Sequence, residues 1–116
     1  MPSTIRYKRG DIVLVPFPFT DLTSSKRRPA LVVSPDGFND HSQDLVVAAI
    51  TSQPSDEYAV AIEQVDCIDG MLPKRSVVKL AKVFTIHSTL VIRKLCGVRE
   101  EKLAAVLAEL RRFFSR

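Results

Sequence analysis

The chain has little of what builds metal centres or covalent staples. Its 116 residues include two cysteines, Cys67 and Cys96, and two histidines, His41 and His87. The cysteines stand far apart with no CxxC pair. A zinc site needs about four ligands at close spacing, so no metal or other cofactor is expected. In a reducing compartment both thiols are expected as small buried apolar groups, with a disulfide the minor alternative. Long apolar stretches are also missing. The longest, Leu45 to Ile50, falls far short of the roughly 20 residues that cross a bilayer. Arg6, Lys8 and Arg9 lead only into Ile12 to Val15, which does not make a secretory signal. The expectation is a cytoplasmic protein without a membrane contact. GxGxxG, GxxxxGK[ST] and GxSxG do not occur, which argues against dinucleotide, P-loop and serine-hydrolase architectures.

What is present is an ordinary globular composition, 46% hydrophobic and 26% charged, at the length of one domain, residues 1–116. Lys and Arg number 17 against 13 Asp and Glu, a net charge of +4. The surplus is uneven: residues 1–58 carry six basic and seven acidic side chains, residues 59–116 eleven and six. Such an excess permits contact with nucleic acid without requiring it.

Hydrophobic patterning predicts six strands and a closing helix. Gly10 to Val15 is β-rich and is expected to stop at Pro16-Phe17-Pro18, because proline cannot donate to a ladder. Pro29 to Ser34 forms a second strand, ending in a turn at Pro35-Asp36-Gly37. Leu45 to Thr51 reads as a strand buried on both sides. Tyr58 to Glu63 and Ser76 to Leu80 make the fourth and fifth. A sixth lies within Leu90 to Val98, after a turn or short helix around His87-Ser88-Thr89. From Glu100 to Phe114, Leu103, Val106, Leu107, Leu110, Phe113 and Phe114 recur at three- and four-residue steps, the period of an amphipathic helix. Glu100 and Glu101 at its start and Arg111 and Arg112 at its end complement the helix dipole. The sum is an α+β architecture, a compact, strongly bent antiparallel sheet or half-open barrel.

Three places could hold chemistry. The connection from Pro16 to Arg28 is long and carries Thr20, Asp21, Thr23, Ser24 and Ser25 before Lys26-Arg27-Arg28. Because Arg28 precedes Pro29, its backbone is steered to an extended form at a strand entry. A guanidinium held there can grip a phosphate with two parallel bonds, although a solvated basic turn would look the same. Thr51-Ser52-Gln53-Pro54 ends the most apolar strand, where hydroxyls reach a rim or simply terminate the strand. Lys74-Arg75, Lys79 and Lys82 alternate with apolar residues and fit the wet face of an antiparallel strand.

At these residues the chain resembles the PemK/MazF family of toxins from type II toxin–antitoxin pairs. The similarity runs in order through Arg9-Gly10-Asp11-Ile12-Val13, Arg28-Pro29-Ala30-Leu31-Val32-Val33-Ser34 and Val46-Val47-Ala48-Ala49-Ile50-Thr51. It continues through Gly70-Met71-Leu72-Pro73-Lys74-Arg75-Ser76-Val77-Val78 and Thr85 into the last helix. The resemblance implies a half-open PemK/MazF/CcdB-like β-barrel with a C-terminal helix and a homodimer. It further implies metal-independent, sequence-specific cleavage of single-stranded RNA and a cognate antitoxin whose extended acidic segment blocks the RNA groove. The catalytic pair it implies falls on Arg28 and Thr51. Thr23, Ser24, Ser25, Lys26, Arg27 and Gln53 are expected to help hold RNA, and Lys82 to reach phosphate. Phe17 or Phe19 is expected either to stack on a base or to pack internally. The chain departs from the family's usual Gln, Arg and Asp pattern at Lys82, Phe84 and His87, and His87 is expected to pack or to cap a turn. Two other readings fit the same pattern: a gyrase-binding toxin of the CcdB type, and a plain RNA-binding domain.

Overall fold

The computed structural model describes residues 5–17, 26–53 and 58–116. Its elements run β1 (Asp11–Pro16), β2 (Arg27–Val32), α1 (Asp36–His41), β3 (Asp44–Thr51), β4 (Ala59–Ile62), β5 (Cys67–Ile68), β6 (Ser76–His87), β7 (Arg93–Val98) and α2 (Glu100–Phe114). All seven strands form one antiparallel sheet in the order β4-β6-β3-β2-β1-β7-β5.

That order forces curvature. A flat seven-stranded sheet would hold its edges about 29 Å apart, at about 4.8 Å per strand. The two edge strands, however, are close in sequence: Ile62 ends β4 and Cys67 begins β5. The chain between those two residues reaches at most about 17 Å. The sheet therefore curls into a half-barrel, with α2 against it.

Curling gives the sheet two apolar faces. Inside, Ile12, Leu31, Ile50, Ile62 and Val78 form a core that α2 closes with Val106 and Leu110. On the other face Val13, Val15, Ala30, Val32 and Val47 cluster with Tyr7, Leu45 and Ile86. Neighbours such as Ile12 and Val13 are both fully buried although they point in opposite directions. This is why β1 and β3 read as continuous apolar runs. Burying a Val or Leu side chain contributes about 1.5–3 kcal/mol, and α2 depends on this because an isolated 15-residue helix is marginal in water. Phe113 packs edge-on against Tyr58 at 5.5 Å, whereas Phe114, counted in the apolar stripe from its spacing, is exposed at the end of the last turn.

β6 bends where its register against β3 shifts. Ala48 pairs with Val83, but Ile50 pairs with Val78. Ala49 alone thus stands opposite residues 79–82 of β6, a bulge that turns the strand and re-aims its side chains. Because of this bend β6 runs on to His87 instead of ending at Leu80. The segment at Pro35-Asp36-Gly37 also differs from a simple turn. It starts α1, with Pro35 as the N-cap, and the Asn39 N–H donates to the Pro35 carbonyl at 3.0 Å. Buried Asn39 also donates from Nδ2 to the Ser34 carbonyl at 3.0 Å. The two-residue β5 and the 3₁₀ turn before it, Gln64–Asp66, are too short to leave a periodic signal.

His87 caps a second 3₁₀ turn, Ser88–Leu90, by accepting from the Thr89 N–H through Nδ1. Cys67 and Cys96 are both free and buried. Burial and the neighbouring Cys67 push the Cys96 thiol up to about 12. Among the described residues no helix is long and apolar enough to cross a membrane.

Candidate active site

The β2–β3 ladder runs from Val32 opposite Val47 to Ala30 opposite Ala49 and goes no further. Pro29, next in line, has no N–H with which to extend it. Continuing the same register two residues brings Arg28 opposite Thr51. Residues in register share a face of the sheet, and Arg28 is also paired with Val15 of β1. Arg28 and Thr51 thus come from separate strands to one face, at one end of the sheet.

An aromatic platform organises that face. The Phe17 N–H donates to the Lys26 carbonyl at 2.8 Å, closing the neck between β1 and β2. Over the buried Phe17 ring lie the Arg28 guanidinium carbon at 5.3 Å and Lys82 Nζ at 6.0 Å from the centroid. Phe84 meets the same ring edge-on at 5.9 Å. A cation over a ring gains about 0.5–2 kcal/mol, more as water is excluded. Arg28 Nε is shut off from solvent and has no hydrogen-bond partner among the described residues. Thr51 Oγ1 accepts from the Gln53 N–H at 3.1 Å, which leaves the hydroxyl proton to be donated elsewhere.

Behind this face opens a cavity of about 330 Å³. The ends of β1 and β3 and the starts of β2, β6 and β7 meet there, as antiparallel order requires. Leu14, Ile50, Leu72 and Leu95 form its apolar floor; Thr51, Ser52 and Ser76 add hydroxyl-bearing side chains. Arg27, Arg28, Lys74 and Arg93 also line it, with no carboxylate among the described lining residues. Four cations around a concave, partly apolar site make a strong local positive potential. Among the described residues no three His, Cys, Asp or Glu side chains gather so as to hold a metal ion.

Several residues expected to act together do meet here. Arg28, Arg27 and Thr51 border one cavity. Lys82 is outside it but joins Arg28 through the Phe17 ring. Gln53 is exposed and touches the site through its backbone bond to Thr51, and Lys26 is exposed at the neck of the first hairpin. Thr23, Ser24, Ser25 and Phe19 lie outside the described residues. Arg93 escaped sequence analysis altogether. It belongs here because Leu14 pairs with Pro29 on one side and with Arg93 on the other. No local pattern in the sequence marks that row. Lys74 was visible only as part of an alternating strand face.

Solved structures with the same architecture are numerous. A mycobacterial endoribonuclease in complex with its cognate antitoxin superposes with a TM-score of 0.75 at 20% identity, over 97% of this chain and 96% of that one. The Mycobacterium tuberculosis toxin MazF-mt6 gives 0.73 at 20% identity, over 90% and 96%. A MazE–MazF crystal structure from Deinococcus radiodurans gives 0.76 at 21% identity, over 96% and 98%. At such identity the likeness establishes the fold, a curled antiparallel half-barrel with a C-terminal helix. No curated protein matches the sequence at a significant level. The model of the PemK-like, MazF-like toxins of type II toxin–antitoxin systems matches residues 8–114. Nearly the whole chain falls within that match, and the protein belongs to this toxin family.

Proposed function

We propose that this protein is a sequence-specific endoribonuclease toxin that cuts single-stranded RNA in the cytoplasm without a metal, acts as a homodimer, and is held in check by a cognate antitoxin. The observation that carries the proposal is the register that sets Arg28 opposite Thr51 beside a cavity lined by four cations and no described carboxylate. Proteins of similar fold, a mycobacterial endoribonuclease in complex with its cognate antitoxin and a MazE–MazF pair among them, support the same reading.

The chemistry follows from the groups present. The RNA 2′-hydroxyl attacks the adjacent phosphorus, and the bond to the 5′-oxygen breaks. The products are a 2′,3′-cyclic phosphate and a free 5′-hydroxyl. The 2′-hydroxyl proton is lost to solvent and one is regained by the leaving oxygen. Extra negative charge builds on the non-bridging oxygens in the transition state, and fixed donors there lower the barrier. Arg28 serves as the charge stabiliser, because a guanidinium does not readily give up its proton. The Thr51 hydroxyl supplies a second donor. The Phe17 ring beneath Arg28 holds the guanidinium in place, a cost met before substrate arrives. A magnesium ion would call for carboxylate oxygens, and the described lining supplies none. An acidic antitoxin segment would meet the same cations as the RNA.

The test is to incubate the protein with mixed single-stranded RNA in excess EDTA and to read the new ends by mass spectrometry. Cyclic-phosphate ends are expected. Arg28→Ala and Thr51→Ala are each expected to slow cleavage about 10²- to 10³-fold, the usual effect of removing one such donor. Wild-type protein that leaves RNA intact, or variants that cut at the wild-type rate, would overturn the proposal. Stable binding of gyrase without RNA products would instead identify a gyrase poison.

A further inference from the structure

A second, larger cavity of about 670 Å³ lies between the N-terminal segment and β7. Five cations line it, Arg6, Lys8, Arg9, Arg93 and Lys94, against the two carboxylates of Asp11 and Asp69. Asp11 is already compensated: it pairs with Lys94 at 3.2 Å and accepts from the Lys8 N–H at 2.9 Å. Arg6 reaches Asp40 only at 3.9 Å, on the surface. Lys8 and Arg93 have no carboxylate partner among the described residues. The cleft is therefore positive after its internal pairs are counted.

Arg93 lines this cleft and also the cavity beside Arg28 and Thr51. It starts β7, and the row from Pro29 through Leu14 to Arg93 crosses two strand spacings, about 10 Å. The next residue back is fixed as well, since the Ile92 N–H donates to the Leu14 carbonyl at 2.8 Å. One cation on a held strand end thus forms the shared wall of two basic cavities. Among the described residues the larger cleft offers no exposed aromatic ring for a base to stack on, since Tyr7, the one aromatic residue that lines it, is buried. Bases of single-stranded RNA are read largely by stacking and edge contacts, whereas phosphates need only cations.

From this we infer that the RNA strand passes from the cavity beside Arg28 and Thr51 over Arg93 into the second cleft, where Lys8 and Arg93 hold backbone phosphates flanking the cut. The inference rests on the RNA reading above. It assigns Arg93 a positioning role and makes the larger cleft a site of affinity, not of sequence choice.

The experiment measures binding separately from cleavage. Full-length protein is titrated with mixed-sequence 2′-O-methyl RNA, which lacks the attacking hydroxyl, as 4-mers and as 12-mers across a salt series. The 12-mer is expected to bind at least about tenfold tighter and with a steeper salt slope, since each phosphate neutralised on a single strand adds about 0.7 to the slope. In the doubly substituted Lys8→Gln, Arg93→Gln protein the 12-mer slope should fall by about 1.4, two phosphates at that value. Both side chains are exposed, and an unchanged melting temperature verifies folding. Equal binding of the two lengths, or a double variant with the wild-type 12-mer affinity and slope, overturns the inference. So does an acidic peptide that binds the cleft without being displaced by the 12-mer, because the cleft would then serve a protein partner. Wild-type protein that cuts RNA but shows no length effect removes the cleft alone. A length effect without cleavage removes the nuclease reading alone.

Discussion

Replacing Arg28 with methionine should destroy cleavage and leave the fold as stable as before, or more so. Arg28 Nε is buried without a partner among the described residues, and an unsatisfied buried donor costs about 1–3 kcal/mol. Against this stands the guanidinium's place over the Phe17 ring at 5.3 Å, worth about 0.5–1 kcal/mol for a half-buried cation. Methionine keeps an unbranched apolar stem on that ring, and its sulfur regains about 0.3–1.5 kcal/mol from the aromatic contact. The net effect is a gain of about 0.3 to 4 kcal/mol. For a domain of this size about 1 kcal/mol moves the melting temperature by about 4 °C. The expected result is a melting temperature about 1 to 16 °C above wild type, with the cleavage rate down at least about 10²-fold. Urea unfolding and an RNA cleavage assay on the same preparation test both halves. A loss of more than about 1 kcal/mol would show that Arg28 is held for the fold. Retained cleavage would remove it from the chemistry.

Gly70 has φ +145° and a Cβ there would sit 2.0 Å from the Leu95 carbonyl oxygen, so Gly70→Ala should lower stability by at least about 2 kcal/mol; a melting temperature within 2–3 °C of wild type would contradict this. Gly37→Ala, with nothing within 4 Å of the new methyl, should instead gain up to about 1 kcal/mol by helix propensity, read from the same melts. Stability should fall as the pH rises above about 9. The unfolded Cys96 thiol ionises near ~8.5, whereas the folded one keeps its proton up to about 12. Between those values the unfolded state binds fewer protons, so each pH unit costs up to about 1.4 kcal/mol from this group. Tyr7, raised by burial and by Asp11, adds to the loss at higher pH, and urea midpoints at pH 7, 9 and 10.5 would reveal a flat profile if this is wrong. Lys94→Gln should cost about 1–3 kcal/mol by leaving the buried Asp11 carboxylate without its cation. Most of that should return in the double variant with Asp11→Asn, a recovery measurable by a double-mutant cycle of urea unfolding.

How much could be read without coordinates differed from element to element. The helix at Glu100–Phe114 was legible to the residue, because a 3.6-residue apolar period and charges matched to the dipole are local properties. β1 and β3 were legible as apolar runs because both faces of the curled sheet are buried. The α1 helix was not, since six residues beginning Asp36-Gly37 look like a turn until Asn39 bonds back to Ser34 and Pro35. β6 appeared to end at Leu80 because its second half pairs after a bulge that no propensity encodes. At the candidate site, Arg28 stood out through its proline neighbour and Thr51 through its place at a strand end. The Phe17 platform joining Arg28 to Lys82 was not visible, and neither was Arg93.

By itself the sequence determined what short-range physics governs: where most strands and the last helix form, and which toxin family the ordered motifs belong to. Only the tertiary structure decided which charges share a space. Residues 28, 51, 74 and 93 become neighbours through inter-strand register, and register is settled by the global fit of two apolar faces on a sheet that must curl.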